Sequence, residues 1–205
     1  MYEIVRCDTS DLDEVFGVME AVSRGYSDNS VFCADSRDFI ARHIRSGEDG
    51  VGEGFVLKAV KGSEVAGFLI VRFPGDAGDN LGLDAGVSGE MLGRVFHIES
   101  VAVLPEHRGN GLQRELVRVG ERMAVETGFT EAYVTVSPRN VYSLGNTVRS
   151  GYEVLGEFPK YGSTRLVLHK SMASGQDRRI MQRPVYQCDN GTSAGKKLRK
   201  RVVTR

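Results

Sequence analysis

One stretch constrains this chain more than any other. From Val101 to Val117 (VAVLPEHRGNGLQRELV), alternating apolar residues run straight into a glycine-rich turn that opens an amphipathic helix. Gly109 and Gly111 carry no Cβ, so the backbone can turn tightly and approach a ligand, leaving the first helical amides pointing outward. The helix dipole adds partial positive charge there, and Arg108 offers a bidentate guanidinium, so the turn suits an anion such as phosphate. A dinucleotide-binding fingerprint needs a third glycine where Arg114 stands. A P-loop needs Gly-Lys-Ser/Thr, and the chain has Gly111-Leu112-Gln113. The plain alternative is an ordinary strand-to-helix turn with incidental glycines.

Around this turn the pattern alternates between α and β. Tyr2 to Cys7 reads as a strand, and Asp8 to Asp11 supplies helix-start residues before Leu12, Val15, Phe16 and Met19 at helical spacing. Asp35 or Ser36 caps a second helix reaching Arg45, and Gly50 to Gly54 breaks the chain before a strand at Phe55 to Val60. Lys61-Gly62-Ser63-Glu64 reads as a hairpin turn into Val65 to Phe73. Pro74 to Gly89, rich in glycine and aspartate, reads as a long surface loop of the kind that often carries function. Arg94 to Leu104 forms the fourth strand. Leu112, Leu116, Val119 and Met123 stripe the following helix, and Gly128 ends it. A strand at Glu131 to Val136 precedes a helix opened by Asn140 and closed by Gly151. Tyr152 to Phe158 then pairs with Thr164 to His169 as a hairpin.

The x-Val-Ala-Val strand, Pro105, Arg108-Gly109-x-Gly111 and the helix after them resemble the acyl-CoA-binding signature of the GNAT superfamily of N-acetyltransferases. Gln113 departs from it, standing where that family more often has glycine or alanine. The Asn140, Ser143 and Gly151-Tyr152 block is similar to the family's second motif, although Asn140 and Gly151 also suit a helix N-cap and C-cap. The resemblance implies an α/β (α+β) fold: a mixed, twisted sheet of about seven strands with flanking helices, splayed between the fourth and fifth. It implies acetyl-CoA as acyl donor and no metal. Contacts would come from the backbone of Val101, Ala102 and Val103, which an opened sheet leaves free to pair with pantetheine amides. Arg108, Gly109, Asn110, Gly111, Leu112 and Gln113 would serve the phosphates, with Asn140, Ser143 and Asn146 from the second block.

Direct acyl transfer needs a neutral amine, so a base must take a proton from the ammonium form. His97 and Glu99 sit two apart on the fourth strand and share one face. An imidazole titrates near neutrality, whereas a carboxylate needs burial or a water relay; either residue can serve, or Glu99 can orient His97. The family commonly has a tyrosine seven residues after the helix-starting asparagine to protonate the departing thiolate; here that residue is Thr147, a poorer proton donor. Tyr142 lies off the same helical face. Thiolates leave reasonably well without an acid, so the substitution bears on mechanism more than on acyl transfer. On the final hairpin, Tyr161 is a candidate to line the acceptor pocket and Arg165 to clamp a carboxylate; surface or packing roles are the alternatives. Asp79 to Gly82 is a candidate border of the same opening. The acceptor is left open among small amines, amino-acid-like metabolites and protein amino groups.

Charge divides the chain. The 27 basic and 27 acidic residues cancel, yet residues 173–205 carry nine basic and two acidic side chains, so the tail holds +7 and the body −7. We read 1–172 as the acyltransferase domain and 173–205 as a basic, solvated extension. There, Lys196 to Arg201 offers a surface for RNA, acidic membrane or the protein's own body. No apolar run suits a membrane span, and the start lacks a signal-peptide pattern, so a cytoplasmic protein, monomer or homodimer, is expected. Cys7, Cys33 and Cys188 show no metal-ligand spacing and read as ordinary thiols. The alternatives to an N-acetyltransferase are an acyl-CoA-binding module that has lost catalysis, and nucleic-acid binding through the tail.

Overall fold

The computed structural model describes residues 1–26, 30–50 and 52–173, together with the backbone of a short antiparallel pair, Val185–Gln187 with Arg199–Arg201. Apart from that pair, Cys188 and the basic stretch Lys196 to Arg201 lie outside the described residues.

Seven strands form one sheet: β1 (Glu3–Arg6), β2 (Gly54–Lys61), β3 (Glu64–Arg72), β4 (Val95–Val103), β5 (Glu131–Val136), β6 (Glu153–Lys160) and β7 (Ser163–Ser171). Their spatial order is β1-β2-β3-β4-β5-β7-β6. Every neighbouring pair is antiparallel except β4 with β5. That parallel pair meets only over Val95 to His97, while β4 stays bonded to β3 as far as Val103. The second edge of β4 therefore opens beyond His97, which is the expected splay between the fourth and fifth strands.

Helices cover both faces because the central strands bury both: α1 (Leu12–Ser23), α2 (Arg37–Glu48), α4 (Leu112–Glu126) and α5 (Val141–Arg149), with a short α3 (Leu81–Asp84). On β2 and β3, Phe55, Leu57, Leu69 and Val71 join the core with Leu112, Leu116 and Val119 of α4. The alternate residues Val56, Phe68 and Ile70 meet Val15 and Met19 of α1 and Ile40 and Ile44 of α2. Close approach of α4 depends on Gly120, where a Cβ would lie 2.5 Å from Leu69 Cδ2.

The segment 74–89 is only in part the surface loop its composition suggests: its flanks are largely exposed, but its middle turns inward as α3. Asn80 and Leu81 are 1% and 3% exposed, and Leu81 packs with Val95, Tyr133 and Val167 in a third core cluster. The reason is local hydrogen bonding. Asn80 caps α3 by accepting from the Gly82 amide (2.9 Å) and donates from Nδ2 to the Gly75 carbonyl (2.6 Å), so its buried side chain satisfies two backbone groups of the segment. Among the described residues, no helix is long and apolar enough to cross a membrane.

Candidate active site

At the end of β4 the chain makes a short turn, Pro105–His107, and enters α4 through Gly109 and Gly111 at φ 80° and 74°. Only glycine adopts this left-handed backbone without strain, and open space surrounds the Cβ position at Gly109. In the described hydrogen-bond network the amides of Gly109, Asn110, Gly111, Leu112 and Gln113 donate to nothing. Five free amides at a helix N-terminus form an anion cradle, and they fit the pyrophosphate of an acyl-CoA. A relay through the buried His107 fixes the turn: Tyr2 donates to His107 Nδ1 (3.0 Å), His107 Nε2 meets Glu64 (2.9 Å), and Asn110 donates to the His107 carbonyl (3.1 Å). No local sequence signal distinguishes His107, because its side-chain partners lie just ahead of β1 and on β3.

Gln113 ties the two helices that flank the groove. Its side chain donates to Ser143 Oγ (3.3 Å) and accepts from Asn146 Nδ2 (2.7 Å). Asn140 caps α5 by accepting from the Ser143 amide (3.1 Å). Thr147 faces the cavity, but its hydroxyl proton is held by the Ser143 carbonyl (2.9 Å). Arg108 folds back, its Nε donating to the Val103 carbonyl (3.1 Å).

One continuous cavity of about 790 Å³ runs from this cradle past the opened edge of β4 to Glu99, Asp35, Tyr161 and Arg165. Glu99 lines it; His97, 2% exposed, stands behind. The Leu81 amide donates to His97 Nε2 (3.0 Å), so the neutral ring carries its proton on Nδ1, which faces Glu99 Oε2 at 3.4 Å. The segment 74–89 thus supports the pair from behind and does not border the opening, as Asp79 to Gly82 was expected to. It also supplies Asp79, whose carboxylate forks onto Arg72 (2.8 Å, twice), and Arg72 lies 3.8 Å from Glu99. Burial pushes the Glu99 carboxyl up, but His97 and Arg72 outweigh it and leave it below the ordinary range.

A second carboxylate in the same cavity was not singled out as functional by the sequence. Asp35 had been read as a possible helix cap, but Ser36 makes that bond, accepting from the Phe39 amide (3.2 Å). Asp35 instead accepts from Ser100 Oγ (2.5 Å). Burial, reinforced by the Glu99 charge, raises it to about 6 despite the Ser100 bond and Arg72. The only sequence signal was a surplus acid beside a sufficient cap.

At the far wall Tyr161 and Gly162 form a two-residue hairpin turn with both φ positive, 52° and 73°. Tyr161 is the one described non-glycine residue in that conformation, which turns its phenol to within 3.5 Å of Glu99 Oε1. Arg165 is 7% exposed and stacks its guanidinium 5.7 Å from the Tyr161 ring centre. Cys33 also lines the cavity, while Cys7 is buried in the core, its thiol pushed up to about 12 by burial and so inert near neutrality.

A mixed sheet opened beside a helix-N-terminal anion cradle is the arrangement of the acetyltransferase (GNAT) fold. The acetyltransferase (GNAT) family model matches residues 19–152, and the chain belongs to that family. Similar solved structures include yncA from Salmonella typhimurium with its cofactor acetyl-CoA (16% identity, 85% of this chain and 95% of that one, TM-score 0.64). Others are the paia N-acetyltransferase of Thermoplasma acidophilum in complex with coenzyme A (15%, 83% and 99%, 0.62) and a GNAT-family acetyltransferase from Streptococcus pneumoniae (13%, 84% and 100%, 0.66). No curated protein matches the chain in sequence.

Proposed function

We propose that the protein transfers an acetyl group from acetyl-CoA directly to a primary amine. The observation that carries this reading is the continuity of one cavity between five unpaired cradle amides and two carboxylates of separated basicity. The cradle and the free edge of β4 bind the donor. The donor supplies an acetyl thioester, whose C–S bond breaks as the new C–N bond forms.

Glu99, kept ionised by His97 and Arg72, holds the incoming ammonium. Asp35, near pH 6, has basicity closer to the working pH and takes the first proton. The second amine proton ends on the departing sulfur, so the products are an N-acetyl amine, a CoA thiol and one proton released to solvent. His97 acts as a positioning residue. Its Nε2 already accepts from Leu81 and its Nδ1 proton faces Glu99, which leaves no lone pair for the amine. Thr147 supplies no acid, since its proton is engaged in the helix, and the thiolate leaves unassisted by it.

The test is thiol release from acetyl-CoA across pH with a panel of primary amines. Amine-dependent release should rise through about pH 6 and level off. Asp35→Asn should lower kcat by ~10²–10⁴-fold. Acetyl-CoA binding without release for any amine would contradict the reading and leave a binding module that has lost catalysis.

A further inference from the structure

The charged groups in the cavity are asymmetric. Arg165 is more than nine-tenths buried, lines the cavity, and its Nε and Nη1 have no hydrogen-bond acceptor among the described residues. Burial lowers its pKa, yet a guanidinium stays charged at any working pH. A buried unpaired cation is costly, and the Tyr161 face cannot accept its in-plane N–H groups. The groups whose charge it feels are the Cys33 thiol and the Tyr161 phenol, both raised by burial and therefore neutral. The carboxylates of the cavity face other groups: Asp35 accepts from Ser100, and Glu99 Oε2 lies 3.4 Å from His97 Nδ1 and 3.8 Å from Arg72, making no hydrogen bond among the described residues. Tyr161 links the two signs of charge: its ring centre is 5.7 Å from the Arg165 guanidinium and its phenol 3.5 Å from Glu99 Oε1, and Asp35 lines the same cavity, which therefore has a positive and a negative wall. In the same cavity, Val22 and the stacked rings of Tyr26 and Phe32, 5.7 Å apart, give an apolar lining.

Taking acetyl transfer to an amine as the reaction, we infer that the acceptor is a free amino acid. Its carboxylate pairs with the Arg165 guanidinium, its ammonium faces Glu99 and Asp35, and its side chain lies on the apolar lining. A protein N-terminus offers a neutral carbonyl where Arg165 needs an anion. A polyamine would bring a second cation toward a buried guanidinium. The zwitterion satisfies both walls at once. The product is then an N-acetyl amino acid whose carboxylate remains intact, with CoA as the thiol.

The experiment uses the full chain saturated with CoA, so that ligand binding is read without turnover. The twenty standard L-amino acids are screened by thermal shift, and the best binder is compared by calorimetry with its own amide and its decarboxylated amine. The acid should bind ~10–100-fold more tightly than either, the value of a charge-assisted hydrogen bond. In Arg165→Gln that ratio should collapse toward one. The comparison within the unaltered protein stands even if the variant does not fold. An acid and amide that bind equally, or a panel with no binder, would overturn the inference. If the acid binds as described but acetyl-CoA releases no thiol, acetyl transfer fails and the carboxylate subsite stands. If amines turn over with no preference for a carboxylate, the reverse holds.

Discussion

Glu99 and Asp35 differ in basicity although both are carboxylates lining one cavity, and the difference lies in their neighbours. Glu99 has a histidine N–H and a guanidinium near it, while Asp35 has one hydroxyl and the Glu99 charge. Because Glu99 raises Asp35, Glu99→Gln should move the acid limb of the kcat/KM profile below pH 6, besides raising KM for the amine. An unmoved limb would show that Asp35 is not the titrating base. Asp35 also costs the fold stability. A carboxyl raised in the native state binds its proton more tightly folded than unfolded, so its contribution is present at low pH and lost as pH rises through about 6. Asp35→Asn should therefore stabilise the protein at pH 8, on the order of 1–3 kcal/mol, and change little at pH 4. Urea denaturation at the two pH values measures this.

At the scale of elements, the short α3 and its flanks hold the active site from behind. Asn80 fixes the segment, Leu81 sets the His97 tautomer, and Asp79 pins Arg72. Asn80→Ala removes the cap and leaves the Gly75 carbonyl without its donor, an expected loss of about 2 kcal/mol in urea denaturation. It should also lower kcat while sparing acetyl-CoA affinity, because the cradle on α4 is untouched. Equal losses in both would place the segment in the cofactor site. This support was hidden in the sequence. Glycines and aspartates mark solvent-facing turns on average, and burial here depends on partners 16 residues away, as with Leu81 and His97. Strands and helices with clear periodicity were legible to within two or three residues: the second helix runs Arg37–Glu48 with Ser36 as its cap.

At the scale of the whole molecule, the opened β4–β5 edge turns a sheet into a binding cleft. Pairing stops at His97 with Tyr133, and β4 runs on to the glycine turn, so one continuous stretch of chain carries His97, Glu99, the free edge and then the cradle. That strand was legible because its chemistry is contiguous: alternating Val and Ala, then Arg108-Gly109-Asn110-Gly111. The acceptor end is assembled from distant segments, Asp35 ahead of α2, Tyr161 and Arg165 on the last hairpin, and only their folding together reveals a cavity with opposed charges. The most direct test is calorimetric titration of acetyl-CoA into the intact chain and into a Gly109→Trp, Gly111→Trp double variant confirmed as folded by circular dichroism. The account predicts one-site binding to the intact chain and none to the variant. Absence of binding to the intact protein, or equal binding to both, would contradict it.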